Sequence, residues 1–136
     1  MLVRGIRGAT TVTTNSRDEI LVAARELLDE IVRANAIEHE HVASIIFTTT
    51  PDLTAEFPAV AVRQAGWTDV ALECLHEMNV PGSLPKCLRI LMHVNTDRTA
   101  ADIKHIYLRG AVVLRPDLAQ GAAAAAAPTS RMEESR

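Results

Sequence analysis

Aromatic side chains are almost missing from this 136-residue chain: one Trp, one Tyr and two Phe, 3% of the sequence. Any core must therefore be built from Val, Ile, Leu and Ala. Any excess of positive charge is also missing. A formal net charge of −3 leaves no electrostatic footprint for nucleic acid or an anionic membrane. Two cysteines, Cys74 and Cys87, are too few for a disulfide framework and lack zinc spacing. No stretch approaches the roughly 18 apolar residues of a membrane span, and the N-terminus carries no signal-peptide core, which points to the cytosol. What is present is a 48% apolar fraction, enough at this length for one domain with a real core. Of the 14 basic residues only Lys86 and Lys104 are lysine. The arginine bias suits fixed anion contacts, although genome composition produces it equally well.

Residues 2–13 are β-rich and open the fold. Ser16-Arg17-Asp18-Glu19 has the form of a capping box, with Ser16 as N-cap and Glu19 at the third helical position. Behind it Ile20, Leu21, Ala24, Leu27, Leu28 and Ile31 recur at helical spacing, predicting an amphipathic helix to about residue 34. Residues 42–49 read as a second strand, ended by Thr50-Pro51-Asp52. A short helix is expected from Pro58 to just before Gly66. Strands are expected at 70–75, 87–95 and 106–114, with a loop at 79–86 and a helical turn near 99–104. The order β-α-β-α-β-β-α-β implies an α/β (α+β) domain, one mixed sheet with helices on one face. The other face is then left uncovered, and an oligomer is expected to bury it. The domain should span residues 1–118. Residues 119–136, rich in alanine and then polar, read as a mobile tail.

Arg89 stands out against this frame. It lies inside Cys87-Leu88-Arg89-Ile90-Leu91-Met92-His93-Val94, an otherwise apolar strand, with nothing acidic within five residues on either side. A buried guanidinium needs a partner, so its counter-ion must come from a distant segment, another subunit or a ligand. The guanidinium fork matches a carboxylate and stays charged at any working pH, as an acid-binding pocket requires. An edge-strand arginine facing water is the plainer alternative. No metal cluster, phosphate loop or nucleophile–His–acid set can be assembled, and His39, His41, His76, His93 and His105 have no ligand-like pattern. What remains is a set of lone polar residues in structural strands: Arg7, Cys74, Glu77, Arg89, Tyr107 and Arg115.

Several multi-residue blocks carry a resemblance. Arg4-Gly5-Ile6-Arg7-Gly8-Ala9-Thr10-Thr11-Val12 resembles the opening of the small monofunctional chorismate mutases of the AroH class. Thr50-Pro51-Asp52-Leu53, Phe57-Pro58-Ala59, Ala61-Val62-Arg63, Cys74 with Glu77-Met78, and Lys86-Cys87 with Arg89 follow in the family's order. His105, Tyr107-Leu108 and the block from Ala111-Val112-Val113 through Leu114-Arg115-Pro116-Asp117-Leu118 complete it. The chain departs at Val60, where the family often has a lysine near the pocket mouth, and looks one residue shorter at Ala65-Gly66.

The resemblance implies a chorismate-mutase-like, ferredoxin-like sheet and a homotrimer with pockets between subunits. It also implies the [3,3] rearrangement of chorismate to prephenate, a step of aromatic amino-acid biosynthesis, with no cofactor and no metal. By resemblance, Arg89 donates to the ether oxygen, Arg7 pairs with a substrate carboxylate, and Glu77 accepts from the ring hydroxyl or balances the arginines. Tyr107 donates its phenol to a carboxylate, and Cys74 lines the pocket near the hydroxyl. Phe57, Arg63 and Arg115 are further contacts, while Glu73, Leu75 and His76 contribute pocket wall or backbone groups. Cys87 is assigned to packing. The alternative is a trimeric small-acid-binding or imine-deaminase-like protein of similar architecture, which would explain an anion-binding arginine but not Glu77 together with Arg7 and Tyr107.

Overall fold

A computed structural model describes residues 1–115; the expected tail at 119–136 and the domain's last residues lie outside them. Five strands form one mixed sheet in the order β3-β2-β4-β1-β5: β1 (Leu2–Thr11), β2 (Val42–Thr49), β3 (Ala71–His76), β4 (Cys87–Thr96) and β5 (Ile106–Tyr107). β4 is central and runs antiparallel to both β1 and β2. The outer pairs β2/β3 and β1/β5 are parallel. Among the described residues no helix is long and apolar enough to cross a membrane.

The long helix α1 (Arg17–Asn35) begins where its capping sequence places it, with the Ser16 hydroxyl accepting from the Glu19 N–H at 3.2 Å. The box closes only on that side. Instead of returning to Ser16, the Glu19 carboxylate accepts from the hydroxyls of Thr14 and Thr13 and from the Thr13 N–H. Those donors, Thr14 first, bring its pKa down to about 2. At the far end, buried Asn35 accepts from the Lys104 N–H at 2.8 Å and donates to the Lys104 carbonyl at 2.9 Å. The helix is thereby stitched to the segment leading into β5.

Strand alternation divides the core in two. Ile6, Ile45, Phe47, Leu88, Ile90, Met92 and Val94 face α1 and the short helix α2 (Val60–Gln64), forming the main cluster with Ile20, Leu27, Leu28 and Ile31. Gly8 lets α1 approach β1, since a Cβ there would meet Ile31 Cδ1 at 2.8 Å and Leu27 Cδ1 at 3.1 Å. α2 starts two residues after Pro58 and ends at Gln64, with Ala65 as its C-cap and Gly66 just beyond, whose φ of +90° suits a helix stop.

Two expectations about the opposite face are corrected. The strand expected at 106–114 stops at Tyr107, and Arg109–Leu114 is a 3-10 helix. Arg109 turns the chain with a φ of +52°, and Ala111 and Leu114, three residues apart, are the ones buried. That spacing suits three residues per turn, not strand alternation. The helix packs Ala111 and Leu114 on Ala9, Cys87 and Tyr107, so this face has a small core of its own and is not wholly bare. Beyond that cover the face still exposes Val3 (59%), Leu75 (52%) and Leu91 (37%).

Candidate active site

Side chains on the less-covered face form a row across the sheet. Thr48 on β2 is the register partner of Arg89 on β4, and Arg89 is the partner of Ala9 on β1. Ala9 in turn pairs with Tyr107 on β5. The small Ala9 therefore stands between a guanidinium and a phenol. Arg7, whose partner is Leu91, is the diagonal neighbour of Arg89 on the same face. Glu77 joins from beyond the end of β3, where its N–H donates to the Thr49 carbonyl at 2.7 Å and prolongs the parallel ladder by one residue.

The charge on Arg89 is met by a distant segment of the same chain, one of the three expected sources. Arg89 Nε lies 3.0 Å from Glu77 Oε2, with both side chains largely buried. The same Oε2 accepts from the Thr48 hydroxyl at 2.6 Å. Arg7, Glu77, Arg89 and Tyr107 together line a cavity of about 250 Å³, closed by Ile46, Thr48 and Leu91. A neighbouring hollow of about 240 Å³ also opens onto Glu77 and Arg89, between Thr50, Met78, Val80, Ser83 and Leu84.

The remaining candidates lie elsewhere. Cys74 and His76 point to the helix side of β3, and with Phe57, Leu75, Phe47 and Leu53 they line a separate cavity of about 390 Å³. Phe57 is 67% exposed at its rim. Arg63 on α2 and Glu73 on β3 are exposed and line none of these three cavities, although the charges of both reach Cys74. Arg115 lines none of them either, but its charge reaches His105. Val60, at the start of α2, packs against the main core.

Local electrostatics limit the chemistry. Burial pushes the Cys74 thiol up, and pushes the Cys87 thiol up to about 11 against the opposing pull of Arg89. Neither is a thiolate near neutrality, so neither is placed as a nucleophile. His105 is held as a neutral acceptor: its Nδ1 takes the Arg7 backbone N–H at 3.0 Å, and burial, then the charges of Arg7 and Arg115, lower its pKa. The set facing the cavity is thus two guanidiniums, one carboxylate, a phenol and a hydroxyl. Such a set can hold an anion, accept from a hydroxyl and stabilise charge that grows on an oxygen.

Two participants escaped the sequence. Thr48 is one of three consecutive threonines, and only the β2–β4 register reveals that it faces Arg89. His105 stood in a recognisable block, but its bond to the Arg7 backbone needs the β1–β5 pairing.

The family model for chorismate mutase type I matches residues 3–118. The chain is 48% identical over 119 residues to chorismate mutase AroH of Bacillus subtilis, an alignment covering 87% of this chain and 94% of that one. It is 50% identical over 118 residues to chorismate mutase AroH of Thermus thermophilus, covering 86% and 97%. A solved chorismate mutase from Clostridium thermocellum superposes with a TM-score of 0.80 at 55% identity, covering 81% of this chain and 98% of that one. The chain belongs to the chorismate mutase type I family.

Proposed function

From that membership we infer how this chain works as a chorismate mutase, isomerising chorismate to prephenate. The substrate is a dianion with an allylic ether and a ring hydroxyl. One C–O bond breaks, one C–C bond forms, and no proton, nucleophile or cofactor takes part. The protein has to hold a compact conformer and stabilise the negative charge that develops on the ether oxygen as the C–O bond stretches. The convergence of Arg7, Arg89, Glu77 and Tyr107 on one cavity is the observation that carries this reading.

Arg89 donates to the ether oxygen, and its charge counts most in the transition state. Arg7 and Tyr107 bind carboxylate oxygens. Glu77 accepts from the ring hydroxyl and holds Arg89 in place. The cavity with Phe57, Cys74, Leu75 and His76 lies on the helix side of the edge strand β3. A homotrimer would bring that wall of one subunit, with Arg63, against the Arg7–Arg89 cluster of its neighbour. The exposed Val3, Leu75 and Leu91 on the sheet support burial of this face by another copy. Glu73 contributes pocket wall, Arg115 closes over the carboxylate side, and the protein works in the cytosol.

Purified protein added to chorismate should abolish the substrate's ultraviolet absorbance as the conjugated diene is consumed. Unchanged absorbance at micromolar enzyme would sink the activity. Light scattering should give three times 14.8 kDa, and an active monomer would remove the shared pocket.

A further inference from the structure

Thr48 sits between the two charged residues that define the cavity. In the sheet it pairs with Arg89 on one side and with Leu75, two residues before Glu77, on the other. Its hydroxyl donates to Glu77 Oε2 at 2.6 Å, and this is the oxygen that Arg89 Nε approaches to 3.0 Å. One carboxylate oxygen therefore meets both the hydroxyl and the guanidinium. Glu77 itself is not inside a strand: it lies one residue past β3, and beyond its N–H bond to Thr49 the chain enters the loop at Pro81 and Gly82. A carboxylate on such a tether has rotamer freedom, and the Thr48 hydroxyl removes it. Thr48 is itself rigid, because a β-branched side chain in a strand has few χ1 states and its backbone is laddered on both sides.

We propose that Thr48 is a positioning residue of this active site: its hydroxyl locks Glu77 so that Oε2 is committed to Thr48 and Arg89, and Oε1 is the oxygen presented to the substrate's ring hydroxyl. The inference rests on chorismate being the substrate. The chemistry asks for a hydroxyl at this place. A valine of the same shape would fill the space and leave Oε2 with the guanidinium alone, so the carboxylate would swing toward Arg89 and turn both charges away from the substrate. A longer donor such as lysine would compete with Arg89 for the carboxylate.

Three proteins test this: wild type, Thr48→Val and Thr48→Ser. Thr48→Val keeps the shape and the β-branching, so its thermal midpoint should stay within a few degrees of wild type. Losing a hydrogen bond to a charged group corresponds to roughly tenfold to a hundredfold, and kcat of Thr48→Val should fall by that factor. KM should change by less than about threefold, because the displaced Arg89 acts mainly on transition-state charge. Thr48→Ser restores the donor without the methyl group and should recover most of kcat. Wild-type-like kcat in Thr48→Val overturns the proposal, as does equal impairment of the valine and serine variants, which would assign the effect to packing. A loss confined to KM also overturns it. Should Thr48→Val lose its fold, full activity in Thr48→Ser together with a tenfold or greater kcat loss in folded Thr48→Ala supports the proposal, and a smaller loss in Thr48→Ala overturns it. An inactive wild-type enzyme would instead defeat the assignment of substrate, a result separate from any of these.

Discussion

His105 Nδ1 accepts the backbone N–H of Arg7 at 3.0 Å, so a ring from the approach to β5 holds β1 at a residue whose guanidinium lines the cavity. An imidazolium cannot accept that bond, and protonation would also set a third positive charge beside Arg7 and Arg115. The folded-state pKa of His105 is consequently lowered from its usual 6.5, by burial first and then by the two arginines. At intermediate pH the unfolded chain binds the proton and the native chain does not, so this contribution to stability is complete above the unfolded pKa. It is lost progressively as pH falls from 6.5 through the lower folded pKa. The midpoint of urea unfolding should decline with falling pH in that window for wild type and much less for His105→Gln. Parallel declines in both proteins would remove His105 from the account.

Activity should behave differently from stability. The rearrangement moves no proton and arginine keeps its charge, so kcat should be nearly flat between about pH 6.5 and 8. A bell-shaped profile inside that window would indicate general acid–base chemistry and contradict the roles assigned to Arg89 and Glu77.

Substitution at Arg89 should act on kcat more than on KM. Arg89→Ala should lose at least the ~10²–10³-fold typical of removing one preorganised donor. Arg89→Lys keeps a point charge without the planar fork that meets Glu77 Oε2, and a substantial loss is still expected. Citrulline at position 89 keeps the shape and removes the charge; near-wild-type kcat for that protein would refute the electrostatic account and leave the fold untouched.

If pockets straddle subunits, an Arg89→Ala protein and a protein altered at Phe57 and Arg63 should each be impaired, and unfolding and refolding them together should restore activity. Phe57 and Arg89 line different cavities within one chain, and Arg63 lies on α2 away from Arg89, so mixed assemblies would contain some shared pockets free of both lesions. No gain on mixing would argue that each chain builds its site alone.

Gly8→Ala tests the packing beneath the site. The new methyl would meet Ile31 Cδ1 at 2.8 Å and the Ile106 carbonyl at 3.3 Å, in a part of the core where α1 lies directly on β1. Overpacking of this kind costs about 1–3 kcal/mol, and denaturant unfolding should show a loss in that range. An unchanged midpoint would mean that the side chains of Ile31 and Leu27 have room to rotate away.

Local signals determined a good deal of this protein. Ser16 and the spacing of Ile20, Ala24, Leu27 and Ile31 were enough for α1, and Val42–Thr49 reads as a strand with its observed bounds, because caps and periodicity act over a few residues. The lone Arg89 in an apolar strand marked the site, since a buried charge demands a partner wherever it lies in the chain. Two local readings failed, one to a competing partner nearby in the chain and one to tertiary packing. Glu19 turned to Thr13 and Thr14 and left its capping box half closed. The β-rich residues after Tyr107 coiled into a 3-10 helix because Ala111 and Leu114 had a patch of Ala9 and Cys87 to cover. Only the tertiary structure decided which partner met Arg89, that Thr48 stood beside the pair, and that Cys74 faced the helices while Glu77 faced the opposite side. The reason is geometric: pairing across β3, β2, β4, β1 and β5 joins residues dozens of positions apart, and a shift of one residue in any register would turn every side chain of that strand to the other face.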